Sequence, residues 1–242
     1  MSVKNHNENI VLDHWLSGIF KKEVYDIKVD KAPFNEIEHF VKKLQMADTF
    51  LYSKVDVTNL QAVRLMECLG FYLVDTSVTF EKNISTGCCL TKSNEIRFAK
   101  PEDVKSTVEL ARNNFAYTRF FLDEKIDNEV ANLVKAKWVE NYFLRKRGTH
   151  MVVALIDGQI KGFTQLIKQD KLLIVDLIAV IENERNKGLG GDMMIFAEQS
   201  VDDIERIRVG TQVANVPAIR LYEKMGYRFT KGQYIFHYHS RK

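Results

Sequence analysis

Cysteine is scarce in this chain: Cys68, Cys88 and Cys89 are the only three in 242 residues, an odd number that includes an adjacent pair unfit for a structural bridge. Such usage excludes a disulfide-stapled secreted fold and, without metal-ligand spacing, a cysteine metal site; it points to a reducing, cytoplasmic setting. Long apolar runs are missing too. No segment approaches the ~18 apolar residues of a membrane span, and the opening MSVKNHNENIVLDHW lacks the apolar core of a secretory signal. Nor is charge of one sign in excess: 35 basic against 32 acidic residues give +3, too little and too dispersed for a nucleic-acid-binding surface. The six histidines show no metal-ligand spacing, and no segment is of low complexity. With 45% hydrophobic and 28% charged residues, what remains is a globular protein of one large or two small domains.

Self-similarity favours two. TNLQAVRLMECLGF (58–71) aligns with ANVPAIRLYEKMGY (214–227) at an offset of 215 − 59 = 156, pairing Asn59 with Asn215, Arg64 with Arg220, Glu67 with Glu223 and Gly70 with Gly226. Apolar residues at helical spacing make each copy an amphipathic helix ended by glycine, and an alternating strand follows each. The first half reads as strand (23–29), helix (34–45), strand (49–55), helix and strand. After the polar TKSNE the second half reads as a strand and two helices, three strands ending in LLIVDLIAV (172–180), a glycine-rich turn, a helix to about Asp202, a strand, and the closing helix and strand. IDGQI supplies a hairpin turn between the first two of the three strands.

The glycine turn, ERNKGLGGDMM (184–194), carries the chemistry. It lacks the lysine and hydroxyl of a P-loop and the third glycine of a dinucleotide fingerprint. What stands is Arg185-x-x-Gly188-x-Gly190 between a long strand and a helix. Backbone amides from Lys187 through Gly188, Leu189, Gly190 and Gly191 can cradle a pyrophosphate there, with Arg185 and Lys187 adding positive charge.

With NVPAIRLYEKMGY following at the end of the chain, this order resembles the GNAT superfamily of CoA-dependent N-acyltransferases, from about Asn94 to the C-terminus. Glu182 departs from the proline common after that strand. The resemblance implies an α/β (α+β) class built as tandem GNAT folds: mixed, mostly antiparallel sheets flanked by helices, a degenerate first copy over 1–92 and a catalytic copy over 93–242. It implies acyl-CoA as cosubstrate, with acetyl-CoA the default and 3-hydroxybutyryl-CoA an alternative, and no metal. It further implies a splayed strand whose peptide groups at Ile178 and Val180 pair with the pantetheine amides, an Asn215 contact to CoA, and Tyr222 as general acid. A phenol of pKa about 10 suits protonation of a departing thiolate. Tyr222 aligns with Met66 in the first copy, which cannot donate a proton, so the first half is expected to be non-catalytic and to form a wall of the acceptor site. Asp176, at the same parity as Ile178 and Val180, is a candidate base, with ordered water as the alternative.

The segment 113–143 is the least GNAT-like. Its Phe115-Ala116-x-Thr118-Arg119-Phe120, the Trp138-Val139-Glu140-Asn141 of the next helix and the Thr211-Gln212 pair resemble the dTDP-fucosamine acetyltransferase family of bacterial glycan biosynthesis. That resemblance implies acylation of the 3- or 4-amino group of a dTDP-linked amino-dideoxyhexose for O-antigen or capsule. Arg119 could hold a nucleotide phosphate, Phe115, Tyr117 and Phe120 could line a sugar or base pocket, and Trp138, Glu140 and Gln212 complete the expected acceptor set. The aromatics have core packing as their simpler explanation. Two other functions stay open, acylation of a protein, peptide or polyamine amine and non-catalytic CoA sensing, as does homodimerisation.

Overall fold

The computed structural model describes residues 8–44, 46–84 and 95–240. The 92/93 boundary, most of TKSNE, and Cys88 and Cys89 lie outside the described residues, while Cys68 is free and exposed. The first half contains β1 (Ile10–Leu12), α1 (His14–Phe20), β2 (Glu23–Ile27), α2 (Phe34–Leu44), β3 (Thr49–Asp56), α3 (Leu60–Cys68) and β4 (Tyr72–Asn83). The second contains β5 (Glu95–Phe98), α4 (Val104–Asn113), α5 (Asn128–Phe143), β6 (His150–Ile156), β7 (Gln159–Gln169), β8 (Leu172–Val180), α6 (Leu189–Ser200), β9 (Arg206–Gln212), α7 (Val216–Lys224) and β10 (Arg228–His239). The sequence reading missed β1 and α1. The hairpin turn between β6 and β7 is present, with Asp157 and Gly158 both at positive φ (50° and 72°) as a two-residue turn of the primed type requires. Among the described residues no helix is long and apolar enough to cross a membrane.

Both copies of the repeat fold alike. Asn59 and Asn215 are the N-caps of α3 and α7, their side chains accepting from the Ala62 and Ala218 amides. At the other end Gly70 (φ 83°) and Gly226 (φ 85°) sit one residue past the cap in the left-handed region. The amides of Phe71 and Tyr227 reach back to the Met66 and Tyr222 carbonyls, closing the same Schellman turn twice.

All ten strands form one sheet, in the order β1-β2-β3-β10-β4-β9-β8-β7-β6-β5. The mixed, mostly antiparallel sheets expected for the two copies are joined into one by the closing strands. β2 pairs with β3, and β8 with β9, in parallel. Each half's last strand then crosses over: β4 lies against β9, β10 against β3, and β4 and β10 pair with each other in the middle. The run β2-β3-β10-β4-β9-β8 is therefore palindromic about β10 and β4, and neither half completes its sheet alone. Polar contacts follow the exchange: Lys82 of β4 pairs with Glu198 of α6 at 2.8 Å, and the Tyr227 hydroxyl donates to the same carboxylate.

On the back of the sheet α2 and α3 cover the first half and α6 and α7 the second. On the front α4 and α5 cover β6 to β8, while α1, α5 and Phe120 cover β2 and β3. Between these two patches lies the front of β10, β4 and β9, where Ile235 is 3% and Asp75 6% exposed. Cross-strand register puts Lys54, Ile235 and Asp75 side by side there, followed by Ser77 and Gln212.

Candidate active site

β8 and β9 stay paired over only four positions, Leu172 with Arg206 through Val175 with Val209, and then diverge. β9 continues along β4 instead, from Gly210 to Gln212. The gap is absent from the first half, where all five residues of β2 are paired with β3. One edge of the gap has free peptide groups. The Ile181 amide donates to the Lys161 carbonyl at 2.9 Å, which fixes the phase of the β7–β8 ladder. Thr164/Ile178 and Gly162/Val180 are then the non-hydrogen-bonded pairs, so the N–H and C=O of Ile178 and Val180 point away from β7 into the gap. At rest the Val180 carbonyl accepts from Arg185 Nε at 3.1 Å.

Beyond β8 the chain makes one turn of 3-10 helix (Glu182–Glu184) and enters α6 through Gly188, whose φ of 90° only glycine adopts without strain. No side chain caps α6, leaving the amides of its first turn for a ligand. Lys187 is folded back onto Glu184 at 3.0 Å. Gly190 and Gly191 abut Leu221 and Met225 of α7, where an added Cβ would stand 3.4 to 3.8 Å from those side chains.

The gap opens into a cavity of about 410 Å³, within the usual range for ligand sites. Tyr222, 2% exposed, forms part of its wall, with Asp176, Ile178 and Val180 from β8 and Gln212 and Asn215 from the opposite side. Burial raises the Tyr222 pKa, so the phenol holds its proton at neutral pH.

Residues 106–227, just over half of the chain, match the acetyltransferase (GNAT) family. The chain belongs to that family. It is 27% identical to the spore coat polysaccharide biosynthesis protein SpsD of Bacillus subtilis (strain 168) over 234 residues, covering 93% of this chain and 80% of that one. Its fold is similar to a GCN5-related N-acetyltransferase from Sphaerobacter thermophilus, with TM-score 0.65 and 12% identity over 96% of this chain and 76% of that one. It also resembles a tandem GNAT protein from the clavulanic acid biosynthesis pathway, with TM-score 0.62 and 10% identity over 90% and 76%. A GNAT enzyme is an N-acyltransferase with acyl-CoA as cosubstrate. The residues present fit that molecule: a free peptide edge for its amides, uncapped helix amides for its pyrophosphate, and two cations within the same turn.

The structure gathers most of the expected residues. Arg185, Gly188, Leu189, Gly190 and Gly191 line the gap on the turn side, and Phe115 and Tyr117 stand at the mouth. Asn215 is also engaged internally, as N-cap of α7 and as donor to Thr211 Oγ1 at 3.1 Å.

Other expected residues are engaged within the protein. Asp176 does not share a face with Ile178 and Val180. Gln165 pairs with Leu177 but Leu166 with Val175, so Asp176 is the extra residue of a β-bulge, and alternation breaks there. Its side chain turns to the front, where Arg147 (2.7 and 2.8 Å), Trp138 Nε1 (2.8 Å) and Gln165 (3.0 Å) all donate to it. Trp138 thus touches Asp176 and packs edge-on against Trp15. Phe120 is 2% exposed within the front core. Glu140 sits on the surface of α5, paired with Lys137 at 2.6 Å. Arg119 stacks over Tyr52 of β3, 3.8 Å from the ring centroid, and over Phe120.

Three features escaped the sequence reading. Lys135 of α5, 8% exposed, lines the cavity and faces the rings of Phe115 and Trp138. Lys54 and Asp75, both from the first half, stand in one cross-strand row through Ile235 of β10. Asp123, His237 and His239 bring their ligand-type atoms within 4.8 Å of one another. That cluster is a closed hydrogen-bond centre: Asp123 Oδ2 accepts from His237 (2.6 Å) and His239 (2.9 Å), and Oδ1 from the Tyr72 hydroxyl (2.7 Å) and the Lys125 amide (3.0 Å). Burial alone would raise the Asp123 pKa, but the bonds donated by His237, His239 and Tyr72 outweigh it and hold the carboxyl far below its usual range. Four donors occupy the acceptor positions of the carboxylate, and the cluster ties the loop between α4 and α5 to β10 and β4.

Proposed function

We propose that this GNAT enzyme acylates the 3- or 4-amino group of a dTDP-linked amino-dideoxyhexose, in the cytoplasm, for assembly of a bacterial surface polysaccharide. The observation that carries the reading is the cavity at the β8/β9 gap, with Tyr222 in its wall and Phe115, Tyr117, Lys135 and Gln212 lining it. The likeness to SpsD supports a polysaccharide setting. Cations at Lys54, Arg119 and Lys135 favour an anionic acceptor over a polyamine.

Bound acyl-CoA supplies an activated acyl group as a thioester. The chain orients it with the Ile178 and Val180 peptide groups, polarises the carbonyl through a backbone N–H at the gap, and offers the uncapped amides of α6 to its phosphates. Tyr222 holds the proton that neutralises the departing sulfur. Asp176, saturated with donors, anchors Arg147 and Trp138, and ordered water takes the proton of the acceptor amine. The acyl group is acetyl or a short hydroxyacyl such as 3-hydroxybutyryl. Replacing Tyr222→Phe is expected to lower kcat roughly 100-fold or more, with CoA affinity unchanged; full turnover in that variant removes Tyr222 from the mechanism.

A further inference from the structure

Four buried side-chain atoms lack a partner among the described residues: Asp75 Oδ2, Arg119 Nη1, Gln165 Oε1 and His237 Nε2. Leaving such an atom unsatisfied costs about 1–3 kcal/mol, so a cluster of them marks a place where something binds. Three of the four belong to one neighbourhood. Arg119 interacts electrostatically with both Asp75 and His237, and Lys54 and Lys135 interact with Arg119 and with each other.

The three cations outnumber the acid left free beside them, Asp75. Among the described residues none of the three has a carboxylate within ion-pair distance. The acids that Arg119 feels most are already engaged, Asp13 by the Tyr52 hydroxyl at 3.0 Å and by the Leu16 amide, and Asp26 by Lys28. Asp176, facing Lys135, is held by Arg147. Asp75 lies beside Lys54 across β10, its Oδ1 accepting from the Thr76 amide and its Oδ2 unused. Lys135 is 8% exposed, Arg119 half-buried and Lys54 exposed, and together the three cations exceed the acid left free beside them, Asp75, an excess of positive charge that favours an anion there.

We propose that Lys54, Arg119 and Lys135 form a diphosphate site built by both halves of the chain, with Asp75 Oδ2 accepting a hydroxyl of the same ligand, so that the acceptor is a sugar nucleotide. This rests on the acceptor reading above and assigns the first half a direct role in it. Lys54 comes from β3 of the half that has no CoA gap, Arg119 from the loop after α4 and Lys135 from α5. Lys135 also lines the cavity of the β8/β9 gap, so an anion held by it lies beside that cavity.

The test is equilibrium binding of dTDP, inorganic pyrophosphate and thymidine at saturating CoA, which occupies the pyrophosphate cradle of α6. The wild-type protein is expected to bind dTDP and pyrophosphate competitively and thymidine far more weakly. Lys54→Met and Lys135→Met should each weaken dTDP binding about tenfold or more, with CoA binding retained in Lys54→Met, whose side chain lies outside the cavity lining. Arg119 is packed between rings and its loss could unfold the loop, so the solvent-reachable Lys54 carries the decision. Unchanged dTDP affinity in both lysine variants, or no dTDP binding by a wild-type protein that binds CoA, overturns the diphosphate site. Failure of the acceptor reading gives a different result: lysine-dependent dTDP binding without turnover of any dTDP-amino sugar.

Discussion

Lys54 and Lys135 show at the level of single residues how this cluster of cations tunes its charge. Desolvation pulls both pKa values down to about 8. For Lys54 the charges of Arg119, Lys28 and Lys231 add to that lowering and Asp26 opposes it; for Lys135 Arg119, Arg147 and Lys54 add and Asp176 opposes. A lowered lysine pKa means the charge is present below about 8 and lost above it. dTDP affinity is therefore expected to fall as pH rises from 7 to 9, and titration calorimetry across that range should show protons taken up on binding near pH 8. Flat affinity from pH 7 to 9 would separate these lysines from the ligand. Residues fixed by local spacing, such as Arg185, Gly188 and Tyr222, were legible in the sequence. Lys54 and Asp75 were not, because only the register through β10 places them together, and Asp176 was misplaced because a bulge is invisible to a count of alternating positions.

The helices of the repeat allow a matched comparison at the level of elements. Asn59 and Asn215 make the same cap, yet only Asn215 lines the cavity. Asn59→Ala and Asn215→Ala are each expected to cost about 1 kcal/mol of stability, measured by chemical denaturation, while only Asn215→Ala raises the KM for acyl-CoA. Equal KM values in both variants would limit Asn215 to capping. The strand, glycine turn and helix of the CoA site were readable because apolar run, φ-permissive turn and amphipathic helix follow one another without interruption. β1 and α1 were not, since a three-residue strand and a seven-residue helix with Leu16 as its buried residue leave almost no periodic signal.

On the scale of the whole molecule the repeat was visible at its offset of 156, but the exchange of β4 and β10 was not. Either pairing satisfies the same alternating pattern, and the choice is made by contacts far apart in sequence. The exchange has a thermodynamic consequence: β10 bridges β3 and β4, so the halves should open together. Native-state hydrogen exchange is expected to give β2–β3 and β8–β9 the same opening free energy. A first half that opens at much lower free energy would contradict the shared sheet as a single cooperative unit.

The central claim is that this GNAT fold acylates a nucleotide-linked amino sugar. Its most direct test is free-thiol release by the purified protein from acetyl-CoA and 3-hydroxybutyryl-CoA, offered dTDP-3-amino and dTDP-4-amino dideoxyhexoses alongside spermidine and a lysine peptide. The account predicts rapid release with one of the sugars and background release with the polyamine and peptide. Turnover of the peptide or spermidine with none of the sugars would contradict it.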